Sequence, residues 1–274
     1  MMKSKLLNTL MLAALALPGV AMADAAPAAP AAPAPTYTLT SNVGLFSDYI
    51  YRGISQTGNK PAIQGGFDYT HNSGFYAGVW GSSISWLGDT FAASGGTAGA
   101  TNAGLELDTY FGFKNSFATD FSYDVGFLRY NYPGSYPALA TKADTDEVYG
   151  LIGWKWITLK YSYSLGKTFT VPNASGTDYI DLSASYPIAD TGITLGAHYG
   201  KQTYRGAATD ALNAAGTSPT YSDYKLSVSK DFSGYAVGLA YTSTNAAKGP
   251  GQFYNVLNKD LGKGTAVLSV THSF

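Results

Sequence analysis

The sequence predicts an all-β protein, a transmembrane antiparallel up-and-down β-barrel of about 12 strands. Three observations carry this. From Thr38 onward apolar residues alternate with polar or small ones at the period of a strand rather than a helix. Most of the alternating segments run 9–12 residues, the length of a tilted strand crossing a bilayer. The connections between them are long and short by turns, as in outer-membrane barrels with short periplasmic turns and longer extracellular loops.

In chain order, Met1 to Ala23 reads as a secretory signal. Lys3 and Lys5 form its positive end, Leu6 to Leu17 its apolar stretch, and Ala21-Met22-Ala23 a small-residue cleavage site. Asp24 to Thr36 is an Ala/Pro tract with Pro27, Pro30, Pro33 and Pro35. It has little to bury and favours extended polyproline II, so residues 24–36 are expected to form a periplasmic spacer. Residues 37–274 form the barrel.

The twelve predicted strands cover 38–49, 62–71, 74–86, 104–114, 120–131, 146–154, 157–166, 177–187, 192–200, 221–230, 235–243 and 263–274. The alternation is clearest in Ile157 to Leu165, where Ile157, Leu159, Tyr161, Tyr163 and Leu165 share one face and Thr158, Lys160, Ser162 and Ser164 the other. Leu105, Leu107, Phe111 and Phe113 oppose Glu106, Asp108, Tyr110 and Gly112 in the same way. The pattern is poorest in 146–154 and 177–187. The connections have 12, 2, 17, 5, 14, 2, 10, 4, 20, 4 and 19 residues. No convincing helical period interrupts them.

Composition narrows the class. Charged residues are 13% of the chain, about half the ~25% of soluble domains. A net charge of −1 argues against a nucleic-acid partner. The lack of cysteine argues against a disulfide-stapled domain. An aromatic content of 14% argues against disorder, and no internal apolar run is long enough for a helical span.

Period alone does not tell inside from outside. Trp80, Trp86, Trp154, Trp156, Tyr49, Tyr51, Tyr130 and Tyr132 fall near strand ends and are expected in interfacial girdles. At the C-terminus, Ala266, Val270 and Phe274 lie on one face, with Leu268 and His272 beside them. Such a strand ending in Phe resembles the signal read by the bacterial barrel-assembly machinery. It implies outer-membrane lipid and that machinery as partners.

The stretch from Gly44 to Tyr69 contains Ser47, Tyr49, Arg52, Gly53, Ser55 and Gln56, then Pro61, Ala62, Gln64 and Gly65. With Gly74 to Ser82 after it, this resembles the opening of the TorF porin family, Gram-negative proteins long carried as hypothetical. The specific likeness covers about 45 residues. It implies an outer-membrane barrel with a transport role, and no catalytic residues.

Asp48 and Arg52 are four apart, so on an extended strand they share a face with Asn42 and Gly44. As a lumen pair they would form a constriction or a loop anchor. The favoured alternative is that Arg52 and Gly53 organise the first loop and the barrel seam. Glu106 and Asp108 both face the lumen, with Asp124 on the neighbouring strand. Such carboxylates can serve acid–base chemistry or hold a cation. A polar pore wall compensated by Lys114, Lys155, Lys160 and Lys225 is the simpler reading. Asp144 to Glu147 reads as an acidic loop.

Enzymatic signals are weak. His71 and His272 are expected at the periplasmic end and His198 in the lumen, so none suits an outward-facing Ser–His–acid site. No Gly-x-Ser-x-Gly elbow, zinc cluster or nucleotide-binding glycine motif occurs, and no cofactor is expected. The expected function is passive diffusion of small hydrophilic solutes across the outer membrane. Asp48, Arg52, Glu106, Asp108, Asp124, Lys160, Asp181, Asp223 and Lys225 would line the pore. The alternatives are a closed structural or loop-presenting barrel and, less favoured, an outer-membrane enzyme.

Overall fold

The computed structural model describes residues 36–94, 101–138 and 140–274. The expected signal and nearly all of the spacer lie outside them. Twelve antiparallel strands close into one barrel. They are β1 (Tyr37–Phe46), β2 (Ala62–His71), β3 (Phe75–Ser83), β4 (Leu105–Phe117), β5 (Phe121–Asn131) and β6 (Thr145–Trp154). Then come β7 (Ile157–Ser164), β8 (Asp178–Ile188), β9 (Ile193–Thr203), β10 (Tyr221–Phe232), β11 (Tyr235–Thr244) and β12 (Thr265–Ser273). Each pairs with its sequence neighbours, and β1 meets β12 at the seam from Asn42↔Ser273 to Phe46↔Ser269. The backbone of Phe274 extends the seam, donating to Ser41 O at 2.8 Å.

The alternation sorts the side chains as a bilayer requires. Leu39, Ile63, Phe67, Phe111, Val125, Leu182, Leu226 and Leu239 point outward and are exposed. Glu106, Asp108, Asp124, Ser162, Asp181 and Asp223 point inward and are buried. A soluble barrel would place these faces the other way. Closure pairs every edge, as lipid demands. This apolar exterior on a closed sheet belongs in the outer membrane.

Several expectations are corrected. The first strand ends at Phe46, not at residue 49, because the chain turns into the lumen at Asp48. Two short helices stand in the long connections, α1 (Trp86–Ala93) and α2 (Ala207–Ala214). Two-residue ladders add Ile50–Tyr51 with Ile54–Ser55, and Asn255–Val256 with Lys259–Asp260. The acidic stretch 144–147 is not all loop, since Asp146 and Glu147 belong to β6. Of the aromatics assigned to girdles, Trp154 and Trp156 are exposed as expected. Tyr49, Tyr130 and Tyr132 are buried inside, packed with Tyr51, Trp80 and Trp86. Proximity to a strand end cannot distinguish a ring on the lipid face from one on the lumen face. Only parity along the strand does so.

Candidate functional site

The first long connection folds into the barrel. Arg52 and Gly53 form its tip, with φ of 45° and 77°, the positive values that primed hairpin turns require at both central residues. A Cβ on Gly53 would sit 2.6 Å from both Asp223 Cβ and Thr244 Cγ2, so the tip touches β10 and β11. Glycine suits it for both reasons. Arg52 lacks that freedom, and a left-handed backbone costs a non-glycine residue about 1–2 kcal/mol. Its side-chain contacts offset this. Arg52 donates from Nη2 to Glu147 Oε2 at 2.8 Å and from Nη1 to Glu147 Oε1 at 3.1 Å and Gln202 Oε1 at 2.7 Å. The guanidinium also lies 4.3 Å from the Tyr179 ring centre. One residue thus ties the loop to β6, β8 and β9.

Other groups hold the remainder of the loop. Tyr49 Oη donates to Glu106 Oε1 at 2.7 Å, and Tyr132 Oη to Glu106 Oε2 at 2.9 Å. Tyr51 and Tyr130 share a hydroxyl–hydroxyl bond of 2.6 Å. The Ser55 and Thr57 hydroxyls donate to Asp48 Oδ1 at 2.7 and 2.9 Å. Burial pushes the Asp48 carboxyl above the usual carboxylate range, against the downward pull of those hydroxyls. Ile54 packs with Tyr221, Ala246, Val256 and Leu261, so the last long connection covers the loop from above.

The expected Asp48–Arg52 pair does not form. The strand is broken between the two residues, so they no longer share a face, and Arg52 takes Glu147 instead. Arg52 and Gly53 form the tip of the first loop, which lies in the lumen, and Gly53 meets β10 and β11 rather than the seam between β1 and β12.

From the level of the loop tip toward the periplasm, opposite charges from neighbouring strands meet on the lumen wall. Lys114 is opposite Asp124, and Lys160 opposite Asp181. His198 Nε2 lies 2.8 Å from Asp223 Oδ1, and its Nδ1 lies 3.2 Å from Asp181 Oδ2. Lys225 is cross-strand to His198. Tyr76 Oη donates to Asp124 Oδ1 at 2.6 Å and bonds Tyr149, whose ring centre lies 4.0 Å from Lys160 Nζ. Tyr110 Oη donates to Asp68 Oδ1 at 2.7 Å.

All nine residues expected to line the pore therefore face inward. Lys155, expected to compensate that wall, does not. It sits in the turn after β6, 3.9 Å from Asp120 and beside the rings of Trp154 and Trp156. Sequence reasoning missed Glu147, Gln202, Tyr76 and Tyr149. The inward parity of β6 identifies Glu147 and Tyr149 once that strand is accepted.

Ser183 Oγ stands 3.1 Å from His198 Nδ1, so a serine, a histidine and Asp223 do come together. The imidazole has a carboxylate acceptor at each nitrogen, and the Ser183 hydroxyl donates to Asp181 at 2.6 Å. That leaves no free ring lone pair aimed at the serine proton, which a general base requires. Among the described residues, no group of three or more His, Asp or Glu is arranged to hold a metal ion.

An apolar-out, polar-in closed sheet of this kind is a porin-like outer-membrane barrel. Residues 30–274 match the family model described as a bacterial protein of unknown function, Gcw_chp, and the chain belongs to that family. The likeness to TorF porins remains a resemblance, carried by the first loop and the hairpin of β2 and β3 that follows it. No curated protein sequence matches the chain. Among solved structures, the fold is similar to the NanC porin, with a TM-score of 0.50 at 8% identity over 86% of this chain and 99% of that one. The KdgM porin matches with a TM-score of 0.49 at 8% identity, over the same 86% and 99%. OprD from Pseudomonas aeruginosa matches at 0.37 and 14% identity, over 86% of this chain and 65% of its own.

Proposed function

We propose that this protein is a narrow passive channel for small hydrophilic solutes, with its bore set by the inward first loop. One observation carries the reading: a polar lumen wall of paired charges continues below a loop that is seated by side chains alone at its tip. A barrel of eight strands fills itself with side chains, and one of sixteen leaves an open channel. Twelve strands leave a width that one loop can narrow. The lumen wall needs no catalytic role in this account.

Planar-bilayer recording of the purified full chain tests the proposal. Discrete openings are expected, and Arg52→Ala should raise their conductance or open time by freeing the loop tip. The second reading, a closed structural barrel, draws on the dense bonding of residues 48–57. A chain that stays silent with and without Arg52→Ala would decide for it.

A further inference from the structure

We infer that the pore prefers cations to anions, and that the choice is made beside the first loop by Glu106 and Asp108. This rests on the channel reading above and names its solute class. The charges of the lumen are unevenly placed. From the loop tip toward the periplasm, Lys114, Lys160, His198 and Lys225 stand against Asp68, Asp124, Asp181 and Asp223, so that section is close to balanced. At the level of the loop, Arg52 and Lys259, whose Nζ donates to Gly58 O, face four carboxyl groups, Asp48, Glu106, Asp108 and Glu147. Arg52 is committed to Glu147 through two hydrogen bonds. Glu106 receives only the uncharged hydroxyls of Tyr49 and Tyr132. Neither Glu106 nor Asp108 makes an ion pair among the described residues.

A second observation is independent of that clustering. Asp108 is 7% exposed, faces the lumen, and its Oδ1 has no hydrogen-bond partner among the described residues. A buried carboxylate oxygen left without a donor is costly unless it takes up a proton or a positive group approaches it. Trp80 and Tyr130 are its cross-strand neighbours on the same face, and aromatic rings also attract cations. Carboxylates backed by aromatic faces recognise metal cations of the alkali type and organic ammonium groups alike, and both repel anions. Low-dielectric walls focus such a field along a narrow passage.

The experiment is the reversal potential of the purified full chain in a planar bilayer under a steep KCl gradient. The expected result is a several-fold permeability preference for potassium over chloride in the unaltered protein. Asp108→Asn keeps the shape of the side chain and should lower that ratio several-fold, and Glu106→Gln/Asp108→Asn should lower it further. Openings with no preference, or with a preference for chloride, would overturn the inference and leave the channel reading standing. A ratio unchanged in Asp108→Asn would also overturn it. A barrel that never conducts removes the channel reading and this inference together. The measurement on the unaltered chain does not depend on any variant folding.

Discussion

Arg52 shows how much one side chain can be asked to do. It is held in a left-handed turn, its charge is nearly out of solvent, and its partners Glu147 and Gln202 come from strands far along the chain. Removing one member of a buried ion pair leaves the other uncompensated and costs about 3–5 kcal/mol, whereas removing both costs much less. Glu147→Ala should therefore loosen the loop more than Arg52→Ala/Glu147→Ala does. Protease sensitivity of the 48–57 segment in detergent measures this. A Glu147→Ala variant no more sensitive than the unaltered chain would mean that the pair does not seat the loop. At this scale the sequence was partly legible. Parity placed Glu106, Asp108, Asp124 and Lys160 on the lumen face, because a side chain's face in a strand depends only on its own position. It could not match Arg52 with Glu147, because a turn into the lumen, not a strand, carries Arg52 there.

Among the elements, β12 and the seam are the best tested by truncation. Phe274 contributes its ring to the outer face and its backbone to the pairing with Ser41. Deleting it removes that backbone pairing as well as the terminal aromatic proposed to be read during assembly. The fraction of folded, heat-modifiable protein in outer membranes should fall several-fold. Phe274→Leu, which keeps the backbone pairing, separates the two contributions. A deletion that assembles normally would dismiss both. All twelve strands were legible in the sequence, including 146–154 and 177–187, where alternation is weak. Their regular spacing between turns located them. The loop helices were not legible. Trp86–Ala93 and Ala207–Ala214 span about two turns each, so even the Leu87 and Phe91 pair, four apart, is too short a stripe to mark a helix.

For the molecule as a whole, the two faces set what substitution can do. Leu226 and Ser227 are neighbours on β10, the first 65% exposed on the lipid face and the second on the lumen face. Leu226→Lys should destabilise the barrel by about 2–4 kcal/mol, the cost of a lysine on the lipid face near the bilayer midplane. Ser227→Lys should cost far less and instead alter conductance. Unfolding titrations in lipid vesicles compare the two. Similar losses would argue against the assigned faces. The low charge content of the chain follows from the same division, since the outward half of every strand has little place for an ion between its ends.

The loop tip also imposes an order on assembly. Arg52 lies 95 residues before Glu147 and 150 before Gln202, and the turn it belongs to rests against β10 and β11. None of these partners has its final position until the sheet has nearly come full circle. The mouth of the barrel is therefore closed last, by a segment made among the first. The residues that set the bore are thus made early and seated late.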